Sequence, residues 1–244
     1  MMKKALIKPV TAIAAGMIAG GIFVGLFSQS SLAQLGDGTP SPADLQRQRE
    51  MMRALQQGNF EMKGEDLRVC TSEANSDQKN CNTVATGYAQ VLALANQLFG
   101  DGNLASAESM FRQLTRSHPN EATPYYKLGI ILDRQGRVDE AVSQYRRAIE
   151  INSKHALARN SLGVALARQG NLNDAISEWQ EALKINPDYA DALTNLGIAL
   201  LQQNKEAEAI DNLKKARELF MKQNEFAKAK QIDQILQEIN SRST

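Results

Sequence analysis

The sequence predicts an all-α fold, an α-solenoid of four repeated helical units closed by a C-terminal capping helix. Three observations predict it. From Tyr88 onward the chain repeats itself without a gap, in segments 88–121, 122–155, 156–189 and 190–223, and periods of this length mark stacked-repeat architectures. The composition is that of helices, rich in Ala, Leu, Gln, Glu, Lys and Arg with only 5% aromatics. After the last repeat an amphipathic stretch follows, the kind of element a solenoid needs over its final apolar face. A hydrophobic fraction of 43% supports a packed core.

The first element is a leader. Met1 to Lys8 is short and basic, Val10 to Phe27 carries no charge, and Ser31-Leu32-Ala33 supplies a small-x-small end. That order describes a secretory signal peptide, residues 1–33, cut before Gln34. A second reading keeps 10–27 as a membrane anchor, since the run has the ~18-residue length at which spanning begins. Gly16, Gly20, Gly21 and Gly25 give it small-xxx-small spacing. The glycines and Thr11 dilute its hydrophobicity, and no basic stop-transfer cluster follows Phe27. Both readings deliver the rest of the chain outside the cytoplasm, to a periplasm or the lumen of an internal membrane.

Residues 34–42, with Gly36, Gly38, Pro40 and Pro42, read as a turn-rich linker. Ser41 before Pro42 caps a polar helix of about 43–57 that Gly58 ends. From Asn59 to Asn82 no period is sustained, and the expectation is an irregular loop, so that 34–87 is linker, helix and Cys-bearing loop. The two cysteines, Cys70 and Cys81, lie in it. In an exported chain they are expected to form a disulfide stabilising by ~2–3 kcal/mol. No histidine or further cysteine lies near enough in sequence to complete a metal site.

The repeats come next. The seventh place of each segment reads Leu94, Leu128, Leu162 and Leu196; the eighth, Ala95, Gly129, Gly163 and Gly197. The eleventh is Leu98, Leu132, Leu166 and Leu200, and the twentieth Ala107, Ala141, Ala175 and Ala209. The twenty-fourth is bulky, Phe111, Tyr145, Trp179 and Leu213, and the twenty-seventh is Leu114, Ala148, Ala182 and Ala216. This pattern resembles the tetratricopeptide repeat, and the resemblance covers more than half of the chain. It implies four helix–turn–helix units, with small residues letting paired backbones approach and large ones filling the space between. Gly102, Gly136 and Gly170 stand at the turn, where a left-handed cap favours glycine. Pro119 and Pro187 end their helices.

Two departures carry expectations. Asn204 replaces the turn glycine, and asparagine is the next-best residue for that conformation. Met221 stands where Pro119 and Pro187 occur, so the last repeat helix should run on toward Asn224. Beyond it, 224–244 forms the capping helix and tail, with Phe226, Ile232, Ile235, Leu236 and Ile239 on one stripe.

Chemistry is harder to find. His118 and His155 are far apart and read as exposed turn residues. No phosphate-cradling loop, nucleophile elbow or paired-His metal motif occurs. Asp139–Glu140 and Glu206–Glu208 fall early in second helices and suit the helix dipole. The expectation is therefore no enzyme, no cofactor and no metal. Net charge is +1; Lys3, Lys4 and Lys8 belong to the leader, and without them 25 basic residues face 27 acidic ones. Such a balance gives no electrostatic footprint for nucleic acid.

The resemblance instead implies protein or peptide partners in a concave groove lined by first helices. Carried onto this sequence, the groove shows Asn96, Phe99, Tyr126, Ile130, Arg134, Asn160, Arg168, Asp191, Asn195 and Gln202. Arg134 and Arg168 share a repeat place and should stack roughly 10 Å apart, ready to clamp a carboxylate. Asn160 and Asn195 are placed to hold a peptide backbone. The family's carboxylate-clamp set is not reproduced, because its places read Leu92, Tyr126, Ile130 and Val164. Membrane contact would come only through an uncleaved leader. Self-association follows if 43–57 leaves the first unit bare.

Overall fold

Each repeat folds as a pair of helices because one residue in the middle of it takes a left-handed backbone. Gly102, Gly136 and Gly170 have φ of 78°, 78° and 83°, and Asn204 follows at 59°. In all four units the next N–H then donates to the eleventh-place carbonyl, from Asn103 to Leu98, Arg137 to Leu132, Asn171 to Leu166 and Lys205 to Leu200, each at 2.9 Å. This is the closure that ends a helix and turns the chain back. Asn204 preserves the turn, as expected.

The computed structural model describes residues 46, 49–51, 53–55, 57–63, 66–72 and 79–242, all within the unit Pro40–Thr244. The expected leader and the linker at 34–42 lie outside the described residues. The first unit is α1 (Gly87–Gly100) with α2 (Leu104–Ser117). Then come α3 (Ala122–Arg134) with α4 (Val138–Ile151), and α5 (Ala156–Arg168) with α6 (Leu172–Ile185). The fourth is α7 (Ala190–Gln202) with α8 (Glu206–Lys222), and α9 (Phe226–Arg242) closes the row. Without a proline α8 runs on for 17 residues and stops at Asn224, φ 61°.

The column logic has a specific contact behind it. A Cβ at Gly129 would stand 2.5 Å from the Tyr145 ring, one at Gly163 2.5 Å from Trp179 Nε1, and one at Gly197 2.8 Å from Leu213 Cγ. The bulky twenty-fourth-place side chain therefore lies on the eighth-place glycine. Phe111 meets the same need in the first unit, where Ala95 stands and both are fully buried. Successive units are also tied by glutamines at the fourteenth place. Gln135 donates to Glu108 at 2.9 Å, Gln169 to Asp139, and Gln203 to Asn173 at 2.8 Å.

Between the first and second units this tie grows into a network. Arg137 bonds Glu108 at 2.7 Å and Glu140 at 2.6 Å, and Arg112 bridges the same two carboxylates. Burial alone would raise the Glu108 carboxyl, but hydrogen bonds from Gln135, Arg137 and Arg112 hold it below its ordinary range. At the far end α9 lays Ala229, Ile232 and Ile239 onto Leu213, Ala216 and Phe220. Phe226, expected on that stripe, is 57% exposed. Ala229 takes the buried turn in its place.

The Cys-bearing segment is not the irregular loop expected. It is a three-stranded antiparallel sheet of β1 (Phe60–Lys63), β2 (Asp66–Ser72) and β3 (Lys79–Thr86), in the order β1-β2-β3. Leu67 and Val69 alternate inward from Arg68 and Cys70, a two-residue period too short to register as a pattern. Lys63 pairs with Asp66 at the end of the β1–β2 ladder. The Cys70 N–H donates toward β1, to Asn59, at 2.9 Å. Cys70 and Cys81 therefore face each other as a non-hydrogen-bonded pair across β2 and β3, the closer register. They are joined by a disulfide with Cα atoms 4.0 Å apart. Before the sheet, helical backbone at 46, 49–51 and 53–55 ends at Gly58, φ 75°. Strands β2 and β3 pack against α1, so this segment lies on the first repeat.

Candidate functional site

First helices of successive units approach one another, α3 to α5 and α5 to α7, more closely than second helices do. The row therefore curves with first helices inside. Two adjoining cavities open on that inner surface. One, of about 460 Å³, lies between α5 and α7 and is lined by Val164, Arg168, Trp179 and Gln202. The other, of about 400 Å³, lies between α7 and α9 and is lined by Tyr189, Asp191, Lys228 and Ile235. Asn195 and Ile198 line both. Among the described residues, Ile198 is one of few large apolar side chains left exposed, at 38%.

The expected groove residues occupy this surface unevenly. Asn160 is buried, and its Oδ1 accepts from Asn195 Nδ2 at 3.0 Å while its carbonyl accepts from Trp179 Nε1 at 3.2 Å. The two amides thus hold each other; Asn195 lines both cavities and Asn160 the smaller one. Asp191 is engaged by Lys228 at 3.1 Å. Lys228 also pairs with Glu225 at 2.7 Å and sits 4.9 Å above the Phe220 ring. Its ammonium is held above the ordinary lysine value, first by Glu225 and then by Asp191. Gln202 and Arg168 share the larger cavity.

Arg134 and Arg168 do not form a two-guanidinium clamp. Arg168 is ion-paired with Asp133, while Arg134 lies 4.6 Å over the centre of the Phe99 ring. Lys127 approaches the same ring at 5.5 Å. Asn96 stands one turn earlier on α1, its Oδ1 buried and without a hydrogen-bond partner among the described residues. Ile130 is half-buried on α3.

Tyr126 tilts against His155 at 4.8 Å and Tyr145 at 6.2 Å. Burial raises its phenol, and burial also pushes Tyr189 up to about 12. His155, expected to be an exposed turn residue, is half-buried and caps α5 by accepting from the Ala158 N–H at 3.2 Å. Burial pushes its imidazole below the ordinary value.

Sequence reasoning missed Lys127 and Lys228. The first had a signal in the charge distribution along first helices. The second had none, because nothing in the repeat says which face of α9 turns to α7. Among the described residues, the one His/Cys/Asp/Glu group close enough to share a metal is Glu61, Cys70 and Cys81. Its two sulfurs are bonded to each other. No helix among the described residues is long and apolar enough to cross a membrane; the run at 10–27 lies outside them.

The tetratricopeptide repeat pattern matches residues 92–156, 126–190 and 160–224. These overlapping matches cover more than half of the chain, which therefore belongs to the tetratricopeptide repeat family. Its fold is similar to that of the crystal structure of MamA, with 24% identity over 56% of this chain and 80% of that one, at a TM-score of 0.52. A double mutant of MamA RS-1 aligns with 20% identity over 55% of this chain and 76% of that one, at 0.51. YrrB, described as a TPR protein with an unusual peptide-binding site, aligns with 24% identity over 59% of this chain and 73% of that one, at 0.51. No curated protein matches the chain.

Proposed function

We propose that this chain is an exported interaction scaffold that holds an extended segment of a partner protein in the groove formed by its first helices and α9. One observation carries the reading: the adjoining cavities share an exposed apolar side chain, Ile198, and a side-chain amide, Asn195. A peptide needs both, an apolar contact for affinity and a polar group for its backbone. The peptide site in YrrB's description belongs to that protein; what supports the reading here is this chain's own surface. The scaffold reading leaves the chain without a catalytic role. His155 caps a helix and Asp191 is salt-bridged, so these titratable groups have structural tasks.

The test is selection of 12-residue peptides from a random display library on the full chain. Peptides selected on the wild type should lose binding to Ile198→Asp, which sets a charge between the cavities, while the variant keeps its helical melting curve. Peptides that bind both chains alike would place the site elsewhere.

Export rests on the basic start, the uncharged run and the small-x-small end of residues 1–33. The small-xxx-small glycine spacing within 10–27 favours a second reading, a scaffold tethered by that segment to an envelope complex. Sequencing the mature N-terminus separates them: Gln34 means release, and Met1 or Met2 means a tether.

A further inference from the structure

The first helices of units two and three carry a basic excess that pairing inside the groove does not use up. Across the first helices of units one to three, α1, α3 and α5, the basic residues are Lys127, Arg134, Arg159 and Arg168, and the one acid is Asp133. Asp133 is committed to Arg168, and Arg159 reaches out to Glu178 on α6 at 2.9 Å. Among the described residues, Lys127 and Arg134 are left over. No acid stands three or four residues from either, so helix geometry offers neither an intrahelical ion pair. Both instead rest on Phe99, at 5.5 and 4.6 Å from its ring centre. Sharing one ring keeps the two charges within about a Debye length, ~10 Å at 0.1 M salt. The ring fixes both cations without neutralising them.

We propose that this end of the groove takes an acidic segment of a peptide ligand, with a carboxylate received by Lys127 and Arg134 above Phe99. The proposal rests on the peptide-groove reading and names the ligand class for its N-terminal half. The carboxylate site is thus Lys127 with Arg134, not Arg134 with Arg168, because Asp133 already neutralises Arg168. The other end of the groove has its cation already paired, Lys228 facing the two carboxylates of Asp191 and Glu225. It has no such demand and receives neutral or apolar residues beside Ile198. Charge complementarity therefore also sets a direction, with the acidic part of the ligand over α1 and α3 and its apolar part over α7 and α9.

The experiment uses fluorescence anisotropy on the full chain with two labelled 12-residue probes, one alternating Glu with Leu and one alternating Gln with Leu. The Glu probe should bind about tenfold tighter at low salt, with the gap closing as salt rises. Lys127→Gln with Arg134→Gln should remove that gap and leave the Gln probe unchanged, whereas Arg168→Gln should preserve it. Each single variant should remove part of the gap, and melting curves confirm that the chains are folded. Equal binding of the two probes, or a gap that survives the double variant or falls equally with Arg168→Gln, overturns the acidic subsite alone. Failure of both probes to bind at any concentration overturns the groove reading with it.

Discussion

At Gly163 there is no room for one more carbon, because the Trp179 indole already occupies the space where a Cβ would go. Gly163→Ala should lower the unfolding free energy by about 1–3 kcal/mol, since the indole is 4% exposed and the added methyl would force it from its place. Denaturant titration with an unchanged m-value measures it, and a loss near zero would mean that the helix pair adjusts freely. His155 gives a prediction in pH. Burial depresses its imidazole in the folded chain, so the unfolded chain takes up the proton first. The neutral ring's contribution is complete above about 6.5, the ordinary value, and is lost as pH falls through the lower folded value. His155→Asn keeps a capping oxygen for the Ala158 N–H but does not titrate. Between pH 7.5 and 5.5 the wild type should therefore lose more stability than the variant, read as urea midpoints. Parallel slopes would remove His155 from the account.

At the scale of elements, legibility followed repetition. Six apolar columns recur because each unit makes the same packing demand, and four copies raise the pattern above chance. The glutamine at the fourteenth place recurs as well, at Gln135, Gln169 and Gln203, but a polar residue suggests solvent until its partner on the preceding unit is seen. The sheet was illegible for the opposite reason. Its strands of 4, 7 and 8 residues occur once, and Leu67 with Val69 is a short alternation to read. The stripe on α9 was legible in part, since its period was plain but its phase depended on the turn at Asn224. Ile232 and Phe226 test that phase. Ile232→Ala should lower stability by about 2–4 kcal/mol, because the side chain is 1% exposed against Phe220 and Leu213. Phe226→Ala should change it by less than about 0.5 kcal/mol. The reverse order would mean that α9 docks by its other face.

Over the whole molecule, repetition builds the groove and its exceptions give it chemistry. The shared columns place first helices on the inside of the row, and sequence could assign residues to that surface by place number. It could not show which of them answer one another: Asn195 with Asn160, Arg168 with Asp133, Asp191 with Lys228. Those pairings depend on rotamers and on α9, which lies outside the repeat. They change the groove from a row of unpaired polar groups into a half whose charges are paired beside Ile198 and a half that keeps a cationic excess. Electrostatic preference and apolar contact are then separate properties of one surface, carried by Lys127 and Arg134 at one end and Ile198 at the other.

The most direct measurement is photo-crosslinking from that surface in cells making the full chain. A photoreactive side chain at position 198 should form adducts that map to short linear segments of partner proteins. The same group at Lys184, 71% exposed on the second helix α6, should form none of them. Adducts of equal yield from both positions, or from Lys184 alone, would contradict the claim that this solenoid works through its inner groove.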